Sequence, residues 1–293
     1  MADREDIAVF QEVRPRLLGL AYRILGSRAD AEDAVQDTFV KWSTAARGEI
    51  ANPAAWLMTS CTRRCIDLLR AAHRTRVDYV GTWLPEPMHM LTADPAEEAL
   101  GSSLTTAFLL MLERLTPKER AAYLLHEIFD MDYPDIAKAL DMNQAACRQL
   151  VSRARGHVDE ARVRHVTPAA RQEELLAAFE SAIAGGDAGA LVAMLSDDIA
   201  LSADGGGKVA AAARALHGKA NVMGFFNLVL RRFWSQYRLE AVDINGGRGF
   251  VVRNGDQVEA TVSFGYDEAG RVNGIYIMRN PDKLARLDAA AVC

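Results

Sequence analysis

LTPKERAAYLLHEIFDMDYPDIAKALDMNQAACRQLVSRAR, residues 115–155, is the stretch on which the reading of this chain turns. Thr116-Pro117-Lys118-Glu119 is a strong helix start, because Thr caps, Pro fits the first position and Glu three residues after Thr closes a capping box. The helix runs to about Phe129. A short helix over Asp135–Leu140 gives way at Asp141-Met142 to a third, with Asn143 as its cap. On that third helix Cys147, Leu150, Val151, Ala154 and Val158 share one face, which leaves Gln144, Arg148, Gln149, Ser152 and Arg155 pointing elsewhere. Amides and guanidinium groups suit base edges and phosphates. An Arg/Gln face is also ordinary for any surface helix. The order of capped helix, short helix, tight turn and polar-faced helix favours a helix-turn-helix with its last helix in the major groove.

Upstream, Ser27-Arg28-Ala29-Asp30 reads as a second capping box. It opens a helix in which Ala31, Ala34, Val35, Thr38, Phe39 and Trp42 lie on one broad face. Asp33, Gln36, Asp37 and Lys41 remain for contact with something else. The next helix starts at Asn52-Pro53 and places Arg63, Asp67, Arg70 and Arg74 in one stripe, with Trp56 near its beginning. A basic stripe beside an aromatic can hold a nucleic-acid strand and stack an unpaired base. On this helix alone, a solvated charged face is the simpler account.

The charge balance bounds these readings. The 293-residue chain has a formal charge of −5 and a pI of about 5.7, so it lacks the global basic excess of a free-standing duplex binder and its positive charge must act locally. MADREDIAVF is no secretory leader, and no run approaches the roughly 18 apolar residues of a membrane span, so a cytoplasmic location is expected. Cys61, Cys65, Cys147 and Cys293 are too scattered for a disulfide framework, and no Cys/His set has zinc-ligand spacing. No metal, cofactor or catalytic residue is expected.

The chain divides into a helical domain at 1–76, a linker at 77–103 where three prolines break the periodicity, a helix-turn-helix domain at 104–166 and an α+β domain at 167–293. In the last, a helix carrying Leu175, Leu176, Phe179 and Ile183 leads to a strand at Ile199–Asp204, and another helix covers roughly Ala220–Phe233. Strands follow at about Tyr237–Asn245, Gly249–Arg253, Gln257–Tyr266 and Val272–Met278. Turn signals at Asn245-Gly246-Gly247, Asn254-Gly255 and Asp267–Gly270 separate them, which predicts a curved antiparallel sheet.

The segments LAYRILGSRADAEDAVQDTFVKW, NPAAWLMTSCTRRCIDLLR and LTPKERAAYLLHEIFDMDYPDIAKAL…RQLVSRAR together resemble regions 2 and 4 of an extracytoplasmic-function sigma factor of the sigma-70 family. With the linker, the resemblance covers about residues 7–165. It implies that core RNA polymerase, through its β′ clamp helices and β flap, and promoter DNA are the partners. Asp33, Gln36, Asp37 and Trp42 would face polymerase. A loop at about Ala45–Asn52, with Arg47 and Asn52, would capture a flipped −10 base, and Trp56, Arg63, Arg70 and Arg74 would hold the strand. Extruding a base costs a few kcal/mol, which polymerase and strand contacts must offset. Gln144, Arg148, Gln149, Ser152 and Arg155 would read the −35 element.

The C-terminal block resembles a SnoaL-like cone, a curved sheet wrapped by helices. Trp83-Leu84-Pro85-Glu86-Pro87, Asp204-Gly205-Gly206-Gly207-Lys208 and Asn280-Pro281-Asp282-Lys283-Leu284 are similar to signatures of sigma factors carrying such an extension. The resemblance implies regulation in cis, with these three segments at interdomain contacts. Physically, three glycines permit positive φ and close backbone approach, so Asp204 and Lys208 could clasp a linker, while a flexible loop is the plainer alternative. Two rivals stay open. One is a helix-turn-helix regulator with a ligand-sensing SnoaL-like domain, which would hold a small molecule. The other is an isomerase or cyclase using Asp204, His217, Asp243 or Asp256 as a base in an apolar pocket.

Overall fold

Helix starts and stops in the N-terminal half follow the local chemistry closely. The computed structural model describes residues 4–46, 50–76, 79–88, 104–160, 167–185 and 188–289, which fall into two compact units. Of the described residues, the first holds 4–46, 50–76 and 111–160. In it α1 (Arg4–Leu25) ends at Gly26, whose φ of 67° and N–H bond to Tyr22 O close the last turn. The hydroxyl of Ser27 accepts from Asp30 N–H and starts α2 (Arg28–Thr44). Asn52 Oδ1 accepts from Ala55 N–H and starts α3 (Pro53–Arg76). Leu17, Leu20, Ile24, Ala31, Ala34, Leu57, Cys61, Cys65 and Leu69 are buried where these helices meet. Cys61 and Cys65 lie 4.0 Å apart as free thiols in that apolar setting, which pushes the Cys65 thiol well up.

After α4 (Thr106–Leu112) come α5 (Pro117–Glu127), α6 (Tyr133–Ala139) and α7 (Gln144–Glu160). Both halves of the Thr116/Glu119 capping box form. Asp141, with φ of 52°, makes the turn between α6 and α7, and Asn143 Oδ1 caps α7 by accepting from Ala146 N–H at 2.8 Å. Cys147, Leu150, Val151, Ala154 and Val158 are all buried.

Of the described residues, the second unit holds 79–88, 104–110, 167–185 and 188–289. Its helices α8 (Ala169–Gly185) and α9 (Gly189–Met194) precede β1 (Leu195–Asp204) and β2 (Leu216–His217). A helical stretch follows as α10 (Lys219–Phe225), a π-turn at Phe226–Leu230 and α11 (Arg231–Trp234). The chain ends with β3 (Arg238–Ile244), β4 (Gly247–Asn254), β5 (Gln257–Tyr266), β6 (Val272–Met278) and α12 (Pro281–Ala289). The six-stranded sheet runs β2-β1-β6-β5-β4-β3. Asn245 and Gly246, with φ of 51° and 71°, form the β3–β4 turn.

One expectation changes: the sheet is mixed, because β1 pairs parallel with β6 while its other ladders are antiparallel. β1 and β6 are joined by a long connection containing β2, the α10–α11 stretch and β3–β5, which lets β6 return in the same direction as β1.

Alternation along the strands assigns the faces. Phe250 and Val252 point into a core built round Phe179, whose ring lies 5.3–5.6 Å from those of Phe226, Phe250 and Phe264. Val251, Val258 and Met278 belong to a second cluster with Leu284 and Leu287 of α12 and Leu84. Residues 79–88 therefore lie against this unit, with Leu84, Pro85, Glu86 and Pro87 buried.

Candidate nucleic-acid interface and connector clasp

Helix α7 presents Gln144, Arg148, Gln149, Ser152 and Arg155 on its exposed side, opposite the stripe that anchors it. Two of these are oriented by neighbours. The Arg148 guanidinium lies 5.3 Å from the Tyr133 ring centroid, and Arg155 pairs with Glu127. Burial works against ionisation of Glu127, but Arg155 and His126 outweigh it and hold the carboxylate below its usual range. Glu119 is likewise held low, its burial outweighed by the Thr116 hydroxyl and backbone N–H and by Arg153.

On α2, Asp33 and Gln36 are exposed, while Asp37 accepts from Arg64 Nε at 2.6 Å. On α3, Arg63, Asp67 and Arg70 are exposed and line a polar groove with Lys118 and Asp141. Trp56 is half-buried, its ring 5.6 Å from that of Trp42. Asn52 is exposed, but its carboxamide oxygen is engaged as the α3 cap. Arg47 and the side chain of Arg74 lie outside the described residues.

In the second unit Asp204, fully buried at the end of β1, gathers the two halves of a clasp. Its Oδ1 accepts from Tyr79 OH at 2.6 Å and Gly206 N–H at 2.9 Å; its Oδ2 accepts from Leu84 N–H at 2.9 Å and Lys283 Nζ at 2.8 Å. Lys283 also donates to Leu84 O and sits 4.5 Å from the Trp83 ring centroid. Asn280 donates to Tyr79 OH at 3.0 Å, and Lys208 pairs with Asp282 at 2.5 Å. A Cβ on Gly206, at φ of 62°, would run into the Asn280 carboxamide, and one on Gly207 would come within 3.1 Å of Val80. A Cβ on Gly205 would strike Val209 O. The glycines are thus required by close approach. Burial, then the bond to Asp204 and its charge, pushes the Tyr79 phenol far up. Pro85, Pro281 and Asp282 complete the three segments, Pro85 buried and Pro281 starting α12.

Residues 9–75 match the family described as Sigma-70 region 2, and residues 105–158 match Sigma-70, region 4. Over 234 residues the chain is 35% identical to the ECF RNA polymerase sigma factor SigJ of Mycobacterium tuberculosis, covering 78% of this chain and 74% of that protein. The probable ECF RNA polymerase sigma factor SigI of the same organism is 33% identical over 66% of this chain and 68% of its own. The chain belongs to the extracytoplasmic-function sigma factors. The crystal structure of Mycobacterium tuberculosis SigJ superposes with a TM-score of 0.75 at 31% identity, covering 95% of this chain and 98% of that one, so the match takes in the C-terminal, SnoaL-like α+β unit as well.

Within this sigma factor, region 2 and region 4 pack together in the first unit, and arginines make the junction. Arg120 of α5, 1% exposed, donates from Nη1 to Ile24 O at 2.7 Å and pairs with Glu113. Arg63 donates to Ala139 O at 2.9 Å and Lys138 O at 2.6 Å, and Arg16 to Phe129 O at 3.2 Å. Each acceptor is a carbonyl at or just past a helix C-terminus, where the backbone leaves partial negative charge unmatched. Sequence reasoning missed Arg16 and Arg120 entirely: a buried arginine in an amphipathic helix has no pattern of its own. Trp42, expected at the polymerase face, instead sits at 2% exposure with its indole N–H donating to Asp6 O. It shares the apolar face of α2 with Ala31, Ala34 and Val35, and that face is the one the bundle buries.

The rival catalytic residues do not converge. Asp204 is engaged in the clasp, Asp243 pairs with Arg248, and His217 and Asp256 are exposed. None of the four is among the residues lining the apolar cavity of the second unit. Among the described residues no helix is long and apolar enough to cross a membrane.

Proposed function

We propose that this sigma factor binds core RNA polymerase and directs promoter recognition and opening, with its C-terminal unit acting in cis on the connector between regions 2 and 4. Gln144, Arg148, Gln149 and Ser152 read the −35 element, with Arg155 on the adjacent backbone. Arg63, Arg70 and Arg74, with Arg47, Asn52 and Trp56 upstream, hold the −10 strand, and Asp33, Gln36 and Asp37 face the β′ clamp helices. Region 4 also meets the β flap. Polymerase supplies much of the DNA affinity, which accounts for an acidic chain acting on DNA.

The observation that carries the regulatory part is that the connector is held at both ends by the C-terminal unit. Tyr79 and Leu84 bond to Asp204, Met88 exchanges two hydrogen bonds with Asn245, and Thr106, at the start of region 4, bonds with Asn245 and Ser263. A free ten-residue segment can take any span up to about 35 Å, at about 3.5 Å per residue, and fixing residues 79–88 holds that part of the tether between the two DNA-reading regions at one length. Arg63 adds a second restraint, since its Nε and Nη2 are engaged by the end of α6 and must be released before that edge of the guanidinium can reach a phosphate.

The −35 assignment is tested by Arg148→Ala. Its complex with core polymerase should bind a promoter fragment about 10-fold or more weaker, the order of 1–3 kcal/mol for a base contact, and should lose discrimination between matched and scrambled −35 sequence. Equal discrimination in both proteins would remove Arg148 from the recognition face.

A further inference from the structure

The helical stretch of the α+β unit carries two rows of apolar side chains. Val222, Phe226, Leu230 and Trp234 are buried in the core cluster with the strands, and Phe225, Val229 and Phe233 run beside them. Both rows recur every four residues. A regular helix has about 3.6 per turn, so each step would drift by about 40° and the rows would wind away from the sheet. The π-turn at Phe226–Leu230, where Arg231 N–H donates back to Phe226 O, takes up the surplus residue and keeps the rows aligned; such turns recur at functional sites.

The second row lines a cavity of about 250 Å³, together with Trp234 and the small side chains of Ala203 on β1 and Ala211. Protein interiors pack with few spaces larger than a water, and atoms facing such a space lose dispersion contacts on one side. The methyl groups of the two alanines are too short to fill it. Phe233, 55% exposed, gives the cavity an edge reached from solvent.

Arg279 also belongs to the lining, yet its guanidinium is committed to the protein. Nη1 donates to Ala210 O at 2.5 Å, Nη2 is paired with Glu259 at 3.8 Å, and Nε has no accessible surface. The cavity therefore offers an ion no free countercharge from this group, and an ion taken out of water without one is strongly disfavoured. An apolar occupant loses nothing by comparison and gains the contacts that the phenylalanine and tryptophan rings provide.

We infer that this cavity is a binding site for a neutral, compact aromatic molecule, seated among Phe225, Val229, Phe233 and Trp234. An apolar cavity of about 150 Å³ admits benzene. In the same ratio, about 250 Å³ admits a two-ring molecule of about ten heavy atoms and excludes a long acyl chain. The site backs on to the clasp without drawing on its side chains: Ala203 precedes Asp204, and Arg279 N–H donates to Asp204 O at 2.7 Å.

The test is calorimetric titration of the full chain with indene, benzoate and protonated phenethylamine, which share one heavy-atom count and differ in charge. It is independent of transcription and so of the sigma-factor reading. Indene should bind one per chain, at least tenfold more tightly than either ion. Ala203→Leu, which fills the wall, should weaken indene at least tenfold with circular dichroism unchanged. Because Ala203 is buried and its variant could fail to fold, Phe233→Ala at an exposed position is measured beside it and should weaken indene several-fold. No binding of indene, an ion binding as tightly as indene, or indene affinity undiminished in Phe233→Ala or in folded Ala203→Leu would overturn the assignment.

Discussion

Asp204 is the residue on which the C-terminal unit's hold on the connector converges. It accepts from four donors, one of them the Lys283 ammonium, at a position without solvent exposure. Replacing it with Ala takes the carboxylate from the partly exposed Lys283 ammonium and leaves the Leu84 N–H unbonded, a loss on the order of 1–3 kcal/mol. The expected outcome is a lower denaturation midpoint and faster amide exchange over Tyr79–Met88, measured on the whole chain; unchanged exchange there would show that the clasp holds nothing. Tyr79 gives the same contact a pH dependence. Its phenol is raised in the folded state, so the protonated form is favoured, and the associated stability is complete below the ordinary phenol value of about 10 and is lost as pH rises through the higher folded value. Midpoints should hold steady up to about pH 10 and fall beyond it, and Tyr79→Phe should flatten that fall.

Residue by residue, legibility depended on whether a side chain's partner was near in sequence. Asp204 and Lys208 stood out because the three glycines between them marked special backbone, and Lys283 only through the resemblance to a family signature, yet nothing in their spacing says that Asp204 bonds to Tyr79. Trp42 could be placed on a helix face, and that face is the buried one. Arg120 gave no signal, because a charged residue on an apolar stripe looks like noise until Ile24 O is brought against it.

At the level of elements, helix caps did most of the work. Thr116 and Asn143 set the ends of α5 and α7 as their chemistry dictates, and the buried stripe of α7 follows from its spacing. Thr116→Ala should cost about 1 kcal/mol of first-unit stability, readable by denaturant melts. The carboxylates of Glu119 and Glu127 are held below their ordinary range in the folded state. Their stabilisation is therefore present above about pH 4.3 and disappears as pH drops through the lowered values. An acid titration followed by circular dichroism should show the unfolding midpoint of Arg155→Ala moved to higher pH, and a coincident curve would sever Glu127 from that pair. Strand positions in the tail were visible from alternation and from the Asn245-Gly246 turn. The parallel pairing of β1 with β6 was not, because a return direction depends on the connection around the sheet and leaves no mark in either strand.

For the whole molecule, the decisive arrangement is the capture of a proline-broken segment by a unit that lies beyond region 4 in the chain. Its composition reads as linker because Pro85 and Pro87 forbid a regular element, whereas Leu84 is buried by a surface made of Val251, Val258 and α12. Periodicity reports faces of elements, and a segment without an element has none to report. Closure of region 2 on region 4 through Arg16, Arg63 and Arg120 belongs to the same level. Arg120→Ala should loosen that packing by about 1.5–3 kcal/mol, the scale of a hydrogen bond to a charged group, seen as a lower unfolding midpoint of the first unit.

Promoter-directed run-off transcription with core RNA polymerase, comparing the intact chain with Asp204→Ala and with a chain ending at Asn280, tests the account most directly. It predicts promoter-specific transcript from the intact protein and a changed yield from both variants, with polymerase association preserved in all three. Transcript yields indistinguishable among the three, or an intact chain that gives no promoter-specific product and does not associate with polymerase, would contradict it.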